Sequence, residues 1–217
     1  MPLQKLNEIC LFASLGKEQL EKIAKIATIK TLKSKNILYY EGDKSDMLYF
    51  LLDGVIKLYK YNQHDKEIVL GYFYTQTLIG EVSALSGKPH QATAEAETQC
   101  SILCVALEPF KKDFLKDPNI SAQLIAQLIS KVRTLMNNTV QTTSAQKLAR
   151  FIYENSSLFG KIKKYKIAQI INMRPETFSR NLKQLQKKGI IAYNKNNFEI
   201  LDKEALKAMF ACEIYLT

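Results

Sequence analysis

The stretch KIAQIINMRPETFSRNLKQLQKKGIIAY, residues 166–193, alternates helical and turn signals. A short helix is predicted over 165–172. A second is predicted over 175–188, because proline fits the first position of a helix, where its missing N–H costs nothing. Gly189 then ends the second helix, since glycine is common just after a helix. The pattern predicts a helix-turn-helix.

The second helix has an apolar face and a polar face. Its core-facing residues are spaced by four and three: Phe178, Leu182 and Leu185. The opposite face presents Glu176, Ser179 and Arg180, whose groups match base edges in DNA. Arginine can donate two hydrogen bonds to guanine O6 and N7, glutamate can accept one from cytosine N4, and serine can contact a base or a thymine methyl.

The charge of the chain is concentrated around this motif. Residues 161–188 contain nine basic residues and one acid, and the net charge of the whole chain is +10. The groups placed to hold phosphates, which position a helix without reading sequence, are Lys163, Lys164, Tyr165, Thr177 and Lys183. Charge alone fits a solvated lysine-rich face equally well. A Glu176–Arg180 salt bridge, worth a few tenths of a kcal/mol, does not explain the lysine excess, so DNA reading is preferred.

Elements on both sides complete a winged arrangement. A helix is predicted over 145–155, before the motif. After it, GIIAY and FEILD flank residues 194–197, a good hairpin turn. A last helix is predicted to begin at Asp202.

The first half of the chain has a different period. A helix is predicted from Leu6 to about Thr31. Between Thr31 and Leu107, about eight short runs of β-branched and aromatic residues are mostly separated by turn signals such as EGDKSD and NQHDK. This spacing predicts a compact antiparallel double sheet of the jelly-roll kind.

A long helix is predicted to join the two halves. Its residues at alternating three- and four-residue spacing form a coiled-coil seam: Ile125, Leu128, Val132, Leu135 and Thr139. A second stripe, Ile120, Leu124 and Ile129, is predicted to pack on the sheet. Such a helix is either buried in its own domain or shared between two subunits, and the seam favours a homodimer. The domains are therefore 1–117 (sensor), 118–143 (dimerisation helix, with a hinge within 137–144) and 144–217 (winged helix-turn-helix), in an α+β fold.

The composition excludes several classes of protein. No apolar run approaches the length of about 20 residues that a membrane span needs, and the N-terminus lacks the apolar core of a signal peptide. Four dispersed cysteines do not form a secreted disulfide framework. We therefore expect a cytoplasmic protein with no membrane partner. It is not expected to be an enzyme, since no catalytic constellation is visible.

The motif closely resembles the winged helix-turn-helix of the Crp/Fnr superfamily of bacterial transcription regulators. ILYYEGDKSDMLYFLLDGVIKLYK and LIGEVSALSG resemble that family's effector-sensing β-roll, so the resemblance covers nearly the whole chain. It implies a homodimer on double-stranded palindromic DNA, with RNA polymerase as a partner. Glu176, Ser179 and Arg180 resemble the Fnr-type branch, which implies half-sites of the TTGA kind. Pro175 stands where cyclic-AMP-type members carry an arginine.

The resemblance also bears on the effector. Cyclic-nucleotide-binding members have a phosphate cassette that opens with Gly-Glu, here Gly80 and Glu81, and closes with Arg-Ser. The closing positions here are Gln91 and Ala92, and no arginine lies between Leu58 and Ala126. A buried phosphate would have no charged partner, so cyclic AMP is not expected to bind.

Other cofactors of the superfamily fit the sequence poorly or weakly. Cys10 alone near the N-terminus gives too few thiolates for an iron–sulfur cluster. Cys100 and Cys104 are expected to pack in the core. His64 and His90 are candidate haem ligands for a response to nitric oxide or nitrosative stress, but both lie in turn-like stretches, where a solvated role is expected. An effector-independent regulator, and a small-molecule-binding signalling module without sequence-specific DNA binding, stay open as alternatives.

Overall fold

The computed structural model describes residues 6, 9–13, 15–74, 77–139, 143–156, 159, 162–194 and 198–210; of residues 10, 130 and 133–139 it describes the backbone alone. The chain divides into two compact units, Met1–Arg133 and Thr134–Thr217. None of the described helices has the length and apolar character needed to cross a membrane.

The first unit is built around two four-stranded antiparallel sheets. After a short 3-10 turn at Cys10–Phe12 and helix α1 (Lys17–Ile26), its described strands are β1 (Ala27–Leu32), β2 (Ile37–Tyr39), β3 (Met47–Asp53), β4 (Val55–Tyr61), β5 (Glu67–Tyr74), β6 (Thr77–Ile79), β7 (Thr93–Ala96) and β8 (Cys100–Ala106). The strand orders are β1-β8-β3-β6 and β2-β7-β4-β5. The predicted antiparallel double sheet is confirmed.

The prediction that the first helix continues to Thr31 is wrong. The helix ends at Ile26, and β1 pairs along its whole length with β8, from Ala27 opposite Val105 to Leu32 opposite Cys100. Two β-branched threonines and Ile29 favour an extended chain, and ladder pairing on the sheet outweighs the weak helical signal.

The two faces of strand β8 pack into two different hydrophobic clusters. Leu103 and Val105 point into a cluster that includes α1 residues, whereas Ile102, Cys100 and Cys104 point into the cluster between the sheets. This alternation follows from the two-residue period of a strand. Both cysteines are free and buried, as their predicted packing role requires.

The described part of the first unit is completed by α2 (Glu81–Ser86), α3 (Leu107–Asp113) and the start of α4 (Pro118–Thr139). The structure corrects the predicted stripes of α4. Leu128, assigned to the seam, packs against the unit's own core behind Ile120 and Leu124, while Ile129, assigned to the sheet, is exposed. The side chains of Leu135 and Thr139 lie outside the described residues. Of the predicted hinge, 137–139 continue α4 and 140–142 lie outside the described residues.

The second unit contains the winged helix-turn-helix elements in the predicted order. They are α5 (Ser144–Asn155), α6 (Lys164–Ile170), α7 (Pro175–Lys187), β9 (Ile191–Tyr193), β10 (Phe198–Ile200) and α8 (Lys203–Ala208). Thr143 and Gln146 form a capping box at the start of α5, and the Asp202 side chain caps α8. In the predicted hairpin turn, residues 195–197 lie outside the described residues.

Candidate nucleic-acid interface and sensor pocket

The turn between α6 and α7 is fixed by backbone hydrogen bonds. Met173 N–H donates to Ala168 O at 2.8 Å and Asn172 N–H donates to Gln169 O at 3.1 Å, while Asn172 has a φ of 51°. These two bonds around a left-handed residue form a Schellman motif. Asparagine tolerates this conformation better than most residues, so the local sequence itself sets the angle at which the chain enters α7.

Helix α7 buries one face and exposes the other, as predicted. Phe178, Leu182 and Leu185 are each 3% exposed or less. Every residue predicted to read bases lies exposed on the remaining surface, namely Glu176, Ser179 and Arg180. Pro175 occupies the first turn, directly after Arg174 at the N-cap. The first two turns of α7 therefore offer an acceptor, a hydroxyl and a guanidinium to solvent.

The predicted phosphate-binding residues lie at the start of α6 and on α7. Lys163 is the N-cap residue of α6, and Lys164 and Tyr165 follow it. All three are exposed, as is Lys183, whereas Thr177 is half-buried. Lys164 Nζ lies 4.2 Å from the centre of the Tyr193 ring in β9. Gln186 Nε2 donates to Tyr193 O at 2.7 Å, so α7 and the hairpin are also tied directly.

The sequence prediction did not include two further residues of the candidate nucleic-acid interface, one on its surface and one that anchors α7 from below. Arg174 is exposed at the N-terminus of α7, where free backbone N–H groups and the helix dipole favour phosphate. Asn181 is buried, and its Nδ2 donates to Ser144 Oγ at 3.0 Å, which anchors α7 to α5. The signal for Asn181 was its position within the apolar stripe, three residues after Phe178 and four before Leu185.

We call the residues of the predicted cassette, Gly80, Glu81, Gln91 and Ala92, the sensor pocket; its two ends meet where Gly80 lies against Tyr39 and His90. Gly80 has a φ of 71°, and a Cβ added there would lie 2.8 Å from Tyr39 Oη and 2.9 Å from His90 Cε1. Only glycine fits this position, since both the conformation and the space exclude a side chain. His90 directly precedes the predicted closing residues, of which Gln91 is exposed and Ala92 is buried.

The prediction that His90 is solvated is wrong. It is 2% exposed, and its ring stacks on Tyr39 with centroids 3.6 Å apart and planes 9° apart. The turn folds back over β2 because Gly42 N–H donates to His90 O and His90 N–H donates to Asp43 O. Among the described atoms, Nε2 has no hydrogen-bond partner. His64 is exposed in the β4–β5 turn, as predicted.

Glu81, the second cassette residue, is 5% exposed and already has a cationic partner. Lys131 of α4 donates to both Glu81 carboxylate oxygens at 2.8 Å and to Leu78 O at 2.9 Å. Sequence reasoning missed this contact, because it joins residues that lie 50 positions apart in the chain.

Comparison with known families now identifies the chain. Residues 29–117 match the model of the cyclic nucleotide-binding domain, and residues 146–209 match that of the Crp-like helix-turn-helix domain. Together these segments make up more than two thirds of the chain, and the first lies in the first unit and the second in the second unit. The chain belongs to the Crp/Fnr superfamily. Proteins of this superfamily are transcription regulators rather than enzymes, and this protein is a Crp/Fnr-type transcription regulator with a helix-turn-helix.

Relatives of this Crp/Fnr protein span most of its length. The cAMP-activated global transcriptional regulator CRP of Escherichia coli O157:H7 is 26% identical over 173 residues, covering 73% of this chain and 82% of that protein. The transcriptional activator protein Anr of Pseudomonas protegens is 23% identical over 219 residues, covering 94% and 89%. A candidate cAMP-binding regulatory protein of Silicibacter pomeroyi has the same fold, with a TM-score of 0.70, 23% identity and coverage of 96% and 100%.

A glycine after α7 gives a stability prediction for this Crp/Fnr protein. Gly189 has a φ of 69°, and it closes a second Schellman motif, in which Ile190 N–H donates to Leu185 O at 3.1 Å. Gly189→Ala places a Cβ in left-handed backbone and should destabilise the protein by about 1–2 kcal/mol. Thermal unfolding measures this loss. Gly71→Ala is the control, because Gly71 lies in strand β5 outside the left-handed region, and a Cβ added there would make only an ordinary contact, 3.5 Å from Phe73 Cε2. An equal loss of stability in both variants would contradict the prediction.

Burial of His90 gives a prediction for the pH dependence of stability. Desolvation lowers the pKa of His90 below its ordinary value of 6.5, although Asp43 and Asp46 partly oppose this. As the pH falls, the unfolded chain therefore binds a proton at His90 at a higher pH than the folded chain does. Stability should therefore fall as pH drops below 6.5, by up to about 1.4 kcal/mol per pH unit for this group.

The measurement compares urea unfolding at pH 7 and pH 5 in the wild type and two variants. His90→Phe retains the stack on Tyr39 without the titrating group, and it should show a shallower loss of stability. His64→Phe, at the exposed histidine, is the control and should keep the wild-type slope. Identical slopes in all three proteins would contradict this role of His90.

Proposed function

We propose that this protein is a homodimeric transcription regulator that reads a palindrome of two TTGA-like half-sites. The observation that carries the proposal is the exposed cluster of Glu176, Ser179 and Arg180 on the first two turns of α7, opposite the buried Phe178. A helix held by its apolar face, with bidentate donor and acceptor groups on the other, suits the major groove. The surrounding cations supply the sequence-independent part of the affinity.

The homodimer is supported by α4. Ile125, Ile129 and Val132 are spaced by four and three, and they are 56%, 53% and 55% exposed. Three large aliphatic side chains in one stripe are a seam for a second copy of the helix. A two-fold dimer would place two copies of α7 in successive major grooves, about 34 Å apart.

Spacing of the half-sites tests this arrangement. Fluorescence anisotropy should show tight binding to the TTGA…TCAA palindrome. Inserting about five base pairs between the half-sites, half a helical turn, should weaken binding strongly because the second α7 then faces the wrong side of the duplex. Inserting a full helical turn of DNA instead returns the second half-site to the same side of the duplex, so this duplex separates the effect of rotation from the effect of distance. Equal affinity for all three duplexes would contradict a dimer that reads two half-sites.

E. coli CRP is named for its activation by cAMP. For the present protein, we do not propose cyclic AMP as the effector. Gln91 and Ala92 stand at the closing positions, and Glu81 is occupied by Lys131. We expect millimolar cyclic AMP to leave the affinity for DNA unchanged.

RNA polymerase is the proposed protein partner of this regulator. One relative, Anr, is named a transcriptional activator. Transcription in vitro with purified RNA polymerase would measure whether the present protein also activates.

Haem does not fit the described histidines. His90 Nε2 is enclosed beneath the Tyr39 stack, and His64 projects from an exposed turn without a cluster of other ligands in the described part of the chain. A response to nitric oxide stays a prediction. Its test is whether nitric oxide changes the affinity of purified protein for the palindrome, and whether added haem shifts the absorption spectrum on binding.

A further inference from the structure

We propose that Lys131 is a built-in occupant of the sensor pocket, which holds α4 in its dimer-forming orientation and so allows DNA binding without an added effector. The inference rests on the proposed function and adds to it the way in which the same pocket is regulated. It concerns contacts within the first unit alone.

Lys131 makes a full set of contacts in the pocket. Its three ammonium protons are matched by Glu81 Oε1, Glu81 Oε2 and Leu78 O, all at 2.9 Å or less. Nζ also lies 4.5 Å from the centre of the Phe73 ring on β5. The side chain of Lys131 is 19% exposed and that of Glu81 is 6% exposed. The ammonium group is thus bound as a small cationic ligand would be.

The carboxylate of Glu81 needs such a partner. Burial of an unpaired carboxylate is strongly unfavourable, and removing one member of a buried ion pair is more costly than replacing both. Since both of its oxygens bind Lys131, a small molecule that uses Glu81 must first displace the lysine. The carboxylate of the predicted cassette is therefore already paired with a residue of the chain.

The same contact fixes the rotation of α4 about its axis. Ile120 and Leu124 are buried in the core, Leu128 packs against it, and Lys131 takes the next position on this stripe, three residues later. Helical neighbours at this spacing lie on one face. With that face anchored from Ile120 to Lys131, the other stripe of Ile125, Ile129 and Val132 is held outward. Losing the Lys131 contact would remove the last of these anchors and leave α4 freer to rotate about its axis.

Four variants, dialysed free of small molecules, test the proposal. Lys131→Met removes the charge and Lys131→Arg retains it, since arginine can bind a carboxylate through two hydrogen bonds. Glu81→Gln combined with Lys131→Met leaves no lone buried charge, so it should fold even if Lys131→Met does not. Lys116→Met, at an exposed lysine of the same unit, is the control. Sedimentation equilibrium measures the dimer, anisotropy measures palindrome binding, and thermal melting monitors folding.

We expect the wild type, Lys116→Met and Lys131→Arg to dimerise and bind DNA alike without an effector. The double variant should melt as a folded protein yet bind the palindrome at least about tenfold more weakly, a usual size for coupling between sites. A double variant that dimerises and binds as the wild type does would overturn the proposal and leave the proposed function intact. A wild type that prefers no palindrome would overturn the proposed function instead. A wild type that binds only after a small molecule is added would also overturn the lysine proposal.

Discussion

Replacing Arg180 by alanine should remove the strongest specific contact with DNA. Arg180 is exposed on α7, one residue after Ser179 and four after Glu176, at the position from which a guanidinium can bind guanine O6 and N7. Its loss should cost about 1–3 kcal/mol per half-site, and it should relax specificity at one base pair of each half-site. Competition binding with a set of single-base variants of the TTGA half-site measures both effects.

Lys187→Ala is the matched control for this prediction. Lys187 is also an exposed basic residue of α7, but it lies in the last turn. Its removal should weaken binding to all duplexes to the same small extent, since a phosphate contact carries no sequence information. If Arg180→Ala behaved in the same way, with specificity unchanged, the base-reading role of Arg180 would be wrong.

Replacing Ile129 by aspartate should convert the dimer to monomers. The side chain is 53% exposed in the described chain and lies in the middle of the stripe formed with Ile125 and Val132. A two-fold dimer loses two buried isoleucines and gains two facing carboxylates. The lost burial alone amounts to about 4 kcal/mol, or roughly a 1,000-fold rise in the dimer dissociation constant. Analytical ultracentrifugation measures it, and palindrome binding should fall in parallel.

Ile68→Asp separates this effect from a general response to a surface charge. Ile68 is 45% exposed on β5, outside the α4 stripe. The control variant should dimerise as the wild type does. A dimeric Ile129→Asp protein would place the subunit interface elsewhere, whereas a monomeric Ile68→Asp protein would extend the interface to β5.

The sequence predicted those features that depend on local spacing. The strands from Ile37 to Ala106 follow apolar runs bounded by turns, and α7 begins at Pro175 and ends just before Gly189, as the residue types require. The buried face of α7 followed from the spacing of Phe178, Leu182 and Leu185. These elements are set by interactions within a few residues, so a single sequence contains the information.

The errors arise where distant residues decide the outcome. His90 was expected in solvent because GKPHQA is a turn sequence, but pairing with the Gly42–Asp43 backbone places it under Tyr39. Leu128 was predicted in the dimer seam and Ile129 on the sheet, but the structure has them the other way round. When a helix has apolar residues on several sides, its sequence does not determine which side packs against the sheet. The partner of Glu81 could not be predicted, since no spacing rule relates a helix residue to a pocket 50 positions away.

The central claim is that exposed groups on α7 read a specific sequence. The most direct measurement is the affinity of the purified protein for the TTGA…TCAA palindrome and for a scrambled duplex of equal length and composition, over a range of salt concentrations. Specific binding should exceed non-specific binding by at least about 1,000-fold at physiological salt. Equal affinity for the two duplexes, with the same dependence on salt, would contradict the claim.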